Sequence, residues 1–292
     1  MEWRQFVMNL GALPVDAVEE VFERHGAQAV TLTDAGDEPV LEPAPGETPL
    51  WSDIRITGLF SPTADFDELR ADLLRSLALT RLPEHRVEIL EDRPWEREWL
   101  KDFRPMRFGN RLWVCPGEFE VDAPHAIVVQ LDPGLAFGTG THPTTALCLE
   151  WLDGRQLDHK HVLDFGCGSG ILSVAALLLG ADSVTAVDID SQAITATRQN
   201  AERNGVAYGI RTAGEARDLD VAYDVAVANI LAAPLIDHAR TICERIVVGG
   251  EIALSGILQH QVSAVVDAYR EWIDFDAPVV RFPWARLTGR KL

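Results

Sequence analysis

The sequence predicts an α/β protein in which a doubly wound, mostly parallel sheet follows a smaller N-terminal α+β domain. From residue 112 onward, apolar strand-like runs alternate with helical patterns and glycine turns, which is typical of a parallel sheet covered by helices. Before residue 92 the runs follow the order β-α-β-β-α-β, which suggests a ferredoxin-like domain. The length of 292 residues also favours two domains over one.

The N-terminal elements are predicted from the spacing of apolar residues. Alternating apolar and polar residues predict a strand, whereas apolar residues at helical spacing, such as Val15, Val18 and Phe22, predict a helix. The predicted strands are 3–9, 29–33, 54–59 and 86–90, and the predicted helices are 15–25 and 65–77.

A charged segment connects the two domains. Trp95, Trp99 and Phe103 recur in it at four-residue intervals and so share one helix face, which favours interdomain packing over a ligand site. We therefore predict an N-terminal domain at 1–92, a linker helix at 93–110 and a second domain at 111–292.

The second domain repeats the pattern of strand, glycine turn and helix. Its predicted strands are 126–131, 161–165, 183–187, 210–213, 224–228 and 251–255, followed by a closing hairpin of 278–282 and 284–288. Its predicted helices are 143–152, 171–179, 192–204, 233–246 and 259–272.

Composition restricts the classes of function. An apolar content of 47% without a run of about 18 apolar residues predicts a soluble protein, and the N-terminus lacks a secretory pattern, so we expect a cytoplasmic location. The four cysteines are widely spaced and form no Cys-x-x-Cys pair, so we expect neither a metal site nor disulfides. The net charge of −19 disfavours a nucleic-acid substrate. It suits a basic protein partner, or it serves solubility alone.

A glycine loop at 166–170 indicates a nucleotide-like cofactor. The predicted strand 161–165 leads directly into Gly166, Gly168 and Gly170, whose missing side chains let a ligand approach the backbone. A dinucleotide-binding loop would need a glycine at position 171, which is Ile171, and no Lys-Ser/Thr pair of a phosphate-binding P-loop follows. An NAD-dependent oxidoreductase is therefore disfavoured.

Of two acidic residues near the loop, Asp164 favours S-adenosylmethionine as the cofactor, whereas Asp188 supports a nucleoside cofactor without distinguishing it from NAD. Asp164, just before the loop, suits a cationic ligand such as the methionyl ammonium and sulfonium, although a turn-stabilising role is the alternative. Asp188 follows the next strand, where a carboxylate can accept hydrogen bonds from both ribose hydroxyls. Asp190 is predicted to cap the next helix.

Asn229 is the candidate for positioning the methyl acceptor. It ends the apolar strand 224–228, and its amide oxygen can accept a hydrogen bond from an amine whose lone pair then faces the methyl group. An enzyme that methylates amino groups of nucleic acids normally shows an Asn/Asp-Pro-Pro-Tyr/Phe motif, whose aromatic ring stacks on the flipped base, but Ile230, Leu231 and Ala232 follow here. A non-catalytic binding module stays open as an alternative. His142 could accept a proton, but capping the helix that starts at Pro143 is the preferred role.

The chain resembles a known family, PrmA, the bacterial methyltransferases of ribosomal protein L11. The resemblance is carried by a signature loop at 131–145 and by segments at 45–48, 95–99, 254–257 and 289–291, and so covers nearly the whole chain. Ser191 departs from the proline that many relatives have there, but serine also suits a helix start.

The resemblance implies a seven-stranded methyltransferase sheet and trimethylation of the α-amine and lysine side chains of L11, which is a basic protein. It implies that Thr145, Gly166, Asp188 and Asn229 contact the cofactor, with Thr145 near its methionyl end. It also assigns substrate recognition to the N-terminal domain and a hinge role to the linker. No membrane partner is expected.

Overall fold

The computed structural model describes residues 3–36, 38, 50–90, 104–117, 119, 121–131, 140–215, 219 and 222–292. The chain divides into two compact units, 1–98 and 99–292. Most of the predicted linker helix, including Trp95, Trp99 and Phe103, lies outside the described residues. Its predicted end is wrong, because Met106–Phe108 is a strand that pairs with Leu112–Pro116.

The N-terminal unit has the predicted order of elements. Each end lies within one residue of its predicted position: β1 is Trp3–Asn9, α1 Val15–Arg24, β2 Ala29–Asp34, β3 Ile54–Phe60, α2 Phe66–Ser76 and β4 His85–Leu90. The strands form one antiparallel sheet in the order β2-β3-β1-β4. Its core is rich in aromatic rings, since Phe60 packs edge-on against both Phe22 and Phe66 at 5.6 and 5.4 Å between centroids. These contacts hold the two helices on the sheet.

A small sheet begins the described part of the second unit. It consists of β5 (Met106–Phe108), β6 (Leu112–Pro116) and β7 (Ile127–Leu131), with β6 and β7 parallel. The prediction that 126–131 joins the large sheet is therefore wrong. An apolar run alone does not specify which sheet a strand joins, because several strands offer it the same backbone hydrogen bonds.

The large sheet carries the remaining strands. They are β8 (His161–Phe165), β9 (Ser183–Val187), β10 (Ile210–Ala213), β11 (Tyr223–Asn229), β12 (Ile246–Leu258), β13 (Ile273–Phe275), β14 (Val279–Arg281) and β15 (Trp284–Lys291). Their order is β10-β9-β8-β11-β12-β15-β13, and β14 also pairs with β15. Neighbours from β10 to β12 are parallel, whereas β13, β14 and β12 all pair antiparallel with β15. The expected seven strands are therefore wrong, since the described residues form an eight-stranded mixed sheet.

The helices of this unit follow the predicted pattern with two exceptions. They are α3 (Pro143–Asp153), α4 (Ile171–Leu178), α5 (Ser191–Arg203), α6 (Ala232–Asp237), α7 (Ala239–Glu244) and α8 (Val262–Tyr269). The predicted helix 233–246 is two helices, because the chain turns at His238 and β12 already pairs with Tyr223 at Ile246. The predicted helix 259–272 is shorter, with a 3₁₀ turn at Gln259–Gln261 before α8.

The second unit is built around buried apolar faces on both sides of its large sheet. The four cysteines are all free and buried, namely Cys115, Cys148, Cys167 and Cys243. Within the described ranges, no cluster of three or more His, Cys, Asp or Glu side chains could hold a metal ion. No helix in that part of the chain is long and apolar enough to cross a membrane.

Candidate active site

The glycine loop joins the carboxyl end of β8 to the start of α4 in a conformation that glycine alone adopts readily. Gly166, Gly168 and Gly170 have φ values of +80°, +54° and +77°. A Cβ atom on Gly166 would overlap the side chain of Ile230, and one on Gly170 would lie 2.8 Å from Thr197 Oγ1. The loop therefore packs directly against the segment that follows Asn229.

Helix α5 holds the loop from the opposite side. Thr197 Oγ1 donates a hydrogen bond to the carbonyl oxygen of Gly168 at 3.1 Å, and Asn200 Nδ2 donates to that of Ser169 at 2.8 Å. Both side chains are buried. Sequence reasoning missed these residues, because a Thr and an Asn inside a helix carry no motif.

Asp164 lies on β8 and is completely buried. Its Oδ2 accepts a hydrogen bond from Ser173 Oγ at 2.6 Å, whereas Oδ1 is buried without a hydrogen-bond partner. Burial raises the pKa of Asp164 to about 6; the hydrogen bonds from Ser173 oppose this rise, and the negative charge of Asp188 adds to it. A buried carboxylate with a free oxygen can accept a cationic group.

Asp188 connects the end of β9 to the glycine loop. Its Oδ2 accepts from the backbone N–H of Gly168 at 2.9 Å, and its Oδ1 accepts from that of Asp190 at 3.0 Å. A carboxylate has about four acceptor positions, so each oxygen keeps capacity for a hydroxyl donor. Asp190 Oδ1 in turn accepts from Gln192 N–H at 2.8 Å, which confirms the predicted cap of α5.

Asn229 and Thr145 meet where β11 ends. Asn229 Nδ2 donates a hydrogen bond to Thr145 Oγ1 at 3.1 Å, and Asn229 Oδ1 is buried without a partner. Thr145 lies in the first turn of α3 and is fully buried. This contact fixes the orientation of the amide and leaves its carbonyl oxygen as an unused acceptor.

Two hydrogen bonds hold the first turn of α3, one to the residue that caps the helix and one from β12. His142 caps the helix, since its Nδ1 accepts from Thr144 N–H at 3.4 Å, as predicted. Ser255 Oγ on β12 donates to the carbonyl oxygen of Thr144 at 3.1 Å, a contact that the sequence did not indicate. Burial lowers the pKa of His142, so its ring is neutral near pH 7 and can act as the capping acceptor. Residues 132–139 of the signature loop lie outside the described residues.

The structure therefore brings the predicted site residues to one edge of the large sheet, at the carboxyl ends of β8, β9 and β11. A family model described as ribosomal protein L11 methyltransferase (PrmA) matches residues 2–292 of the sequence. The chain belongs to this family. The ribosomal protein L11 methyltransferase of Hahella chejuensis (strain KCTC 2396) is 48% identical, over 100% of this chain and 99% of that protein. The protein of the same name from Chromohalobacter salexigens is 49% identical, over 99% of each.

A solved structure supports the fold of this PrmA-family chain. The ribosomal protein L11 methylase of Lactobacillus delbrueckii subsp. bulgaricus is 32% identical and has a TM-score of 0.61, covering 65% of this chain and 100% of that one. The fold is a mixed α/β methyltransferase-like fold. The predictions of the family, of a methyltransferase and of S-adenosylmethionine as its cofactor are confirmed.

Proposed function

We propose that this methyltransferase transfers methyl groups from S-adenosylmethionine to ribosomal protein L11 and trimethylates its α-amine and lysine side chains. The observation that carries the proposed site is the Asn229 amide, whose nitrogen is bound to Thr145 while its oxygen is buried and unpaired. A buried acceptor without a donor is unfavourable by about 1–3 kcal/mol, so such a group favours a function that uses it.

The acceptor amine would be held by Asn229. If the amine donates one N–H to Asn229 Oδ1, its lone pair is free to face the methyl group in an in-line displacement. The amine must be neutral for this step. An α-amine with a pKa of about 8 meets that condition more easily than a lysine with a pKa of about 10.4. Burial next to the cationic cofactor favours loss of the lysine proton.

The residues proposed to bind the cofactor are Thr145, Asp164, Gly166, Gly168, Gly170, Asp188 and Asn229. S-adenosylmethionine supplies an electrophilic methyl group on a positively charged sulfur. The free Oδ1 of Asp164 suits the methionyl ammonium, and the remaining acceptor positions of Asp188 suit the ribose hydroxyls. The three glycines supply the positive φ angles of the loop that would lie against the methionyl part.

We infer that the N-terminal unit is a ferredoxin-like domain that recognises the substrate, with boundaries at 92 and 110 around a hinge. Its order of elements and its antiparallel sheet support the fold. The net charge of −19 supports a basic protein as substrate and disfavours direct binding of nucleic acid. Because the proposed substrate is ribosomal, we expect the enzyme to act in the cytoplasm.

The test is incubation of the protein with labelled S-adenosylmethionine, purified L11 and ribosomal RNA, followed by mass spectrometry of the product peptides and measurement of the label in the RNA. We expect label in L11, with three methyl groups on each modified amine. Incorporation into ribosomal RNA instead of L11 would refute the proposed substrate. Products that stop at one methyl group would refute only the trimethylation.

A further inference from the structure

The hairpin formed by β14 and β15 lies at the same edge of the sheet as the site. Strand β15 runs antiparallel to β12, so its first residue, Trp284, pairs with Leu258 at the carboxyl end of β12. Asn229 pairs with Ser255 near that same end. The turn of the hairpin therefore projects from the edge that carries Asn229.

The hairpin is firmly attached to the helix that supports the site. The ring of Trp284 packs edge-on against His142 at 4.9 Å between centroids, and His142 caps α3. Arg281 Nη2 donates to both carboxylate oxygens of Glu150 on α3, at 2.9 and 3.1 Å. Gln259 N–H donates to the carbonyl oxygen of Pro283 at 2.8 Å. These contacts attach the hairpin to α3, the helix whose first turn carries Thr145.

Three apolar side chains of this hairpin remain exposed. Phe282 is 84% exposed, and Val279 and Val280 are each 42% exposed. Consecutive strand residues point to opposite faces, so Val279 lies on the face that carries Arg281 and Trp284, whereas Val280 lies on the other face. We call Val280 and Phe282 the hairpin surface. Aromatic side chains on a rigid support, next to other apolar groups, are typical of binding surfaces, because little conformational entropy is lost when a partner covers them.

We propose that the hairpin surface docks the acceptor protein and so helps to deliver its amine to Asn229. The occupant is a basic polypeptide that places an exposed apolar side chain on Phe282 while its amine enters the site. Placement beside the methyl-transfer residues argues for the substrate as occupant. The net charge of −19 favours the approach of a basic one, since Arg281 on β14 is neutralised by Glu150. This inference rests on the proposed function.

The experiment compares Phe282→Ser with Val248→Ser in the full-length protein. Val248 is a matched control, since it is 80% exposed but lies near the start of β12, at the opposite edge of the sheet. We expect Phe282→Ser to weaken binding of L11, measured in the presence of S-adenosylhomocysteine, and to raise KM for L11, both by about tenfold. The affinity for S-adenosylmethionine and the melting temperature should stay unchanged. Val248→Ser should behave as the wild type.

The outcomes separate the two proposals. If the wild type methylates L11 and Phe282→Ser binds it equally well, the docking surface is refuted and the proposed function stands. If L11 binds in a manner that depends on Phe282 but receives no methyl group, the proposed function fails and the docking surface stands. An equal loss of binding in both variants, or no binding of L11 by the wild type, would overturn the docking surface.

Discussion

Replacing Asp164 with asparagine should change how the stability of the cofactor-free protein depends on pH. The pKa of Asp164 is about 6 in the folded protein and near 3.8 when the chain is unfolded, so folding takes up a proton between these values. The contribution of Asp164 to the free energy of unfolding is therefore fully present below pH 3.8. It is lost as the pH rises through 6, because the native state must then bury a charge.

The size of the effect follows from the burial of this side chain. Each pKa unit corresponds to about 1.4 kcal/mol, so the rise to about 6 lowers the free energy of unfolding by about 3 kcal/mol at neutral pH. Roughly 2 kcal/mol of this loss should fall between pH 4 and pH 7. Asparagine has similar shape but does not titrate, so Asp164→Asn should lack this loss.

Urea unfolding of both proteins at pH 4, 5, 6 and 7 measures the difference. We expect the stability of Asp164→Asn relative to the wild type to increase by roughly 2 kcal/mol across this range. Because the ionised carboxylate is the form that pairs with an ammonium, the wild type should bind S-adenosylmethionine about tenfold more weakly at pH 5 than at pH 7. A constant difference in stability between the two proteins over the same range would refute the reasoning.

Three further substitutions test other parts of the site. Asn229→Ala should remove most turnover yet keep the affinity for S-adenosylmethionine within about tenfold, and a parallel fall of rate and affinity would make Asn229 a cofactor ligand only. Gly166→Ala should lower the free energy of unfolding by more than about 2 kcal/mol, since its φ of +80° disfavours alanine and its Cβ would overlap Ile230. Adding Ile230→Ala should recover part of that loss, and no recovery would argue against the overlap. Asp190→Ala should destabilise the protein by about 1 kcal/mol through loss of the α5 cap, measured by urea unfolding, with Ser191→Ala as the control.

The parallel strands were predictable because they are short, apolar and bounded by glycine or polar residues. The bounds of β8, β9 and β10 agree with the predicted ranges residue for residue. The outermost strand, β13, was less predictable, because it has only three residues and depends on pairing with the distant β15. The start of β12 was also missed, since Val247 and Val248 are exposed and Gly249 and Gly250 interrupt the apolar run before the predicted strand 251–255.

The site was predictable only where it follows the strand ends. Asp164, Asp188 and Asn229 each lie at or near the carboxyl end of a buried strand, so parallel pairing brings them to one edge. The pairing of Asn229 with Thr145 joins residues 84 positions apart and needs the packing of α3 on the sheet. Ser173 could have been anticipated, since it lies in the first turn of α4 directly after the glycine loop.

The four buried thiols provide intrinsic probes of local opening. Burial raises the pKa of Cys148 and of Cys243 to about 12 and also raises the pKa of Cys115 and Cys167, so thiol reagents should react slowly until a segment opens. Because Cys167 lies inside the glycine loop and Cys243 lies in α7, the two rates report on different regions. Mass-spectrometric measurement of thiol labelling, with and without S-adenosylmethionine, should therefore show which of these regions opens less often when the cofactor is bound.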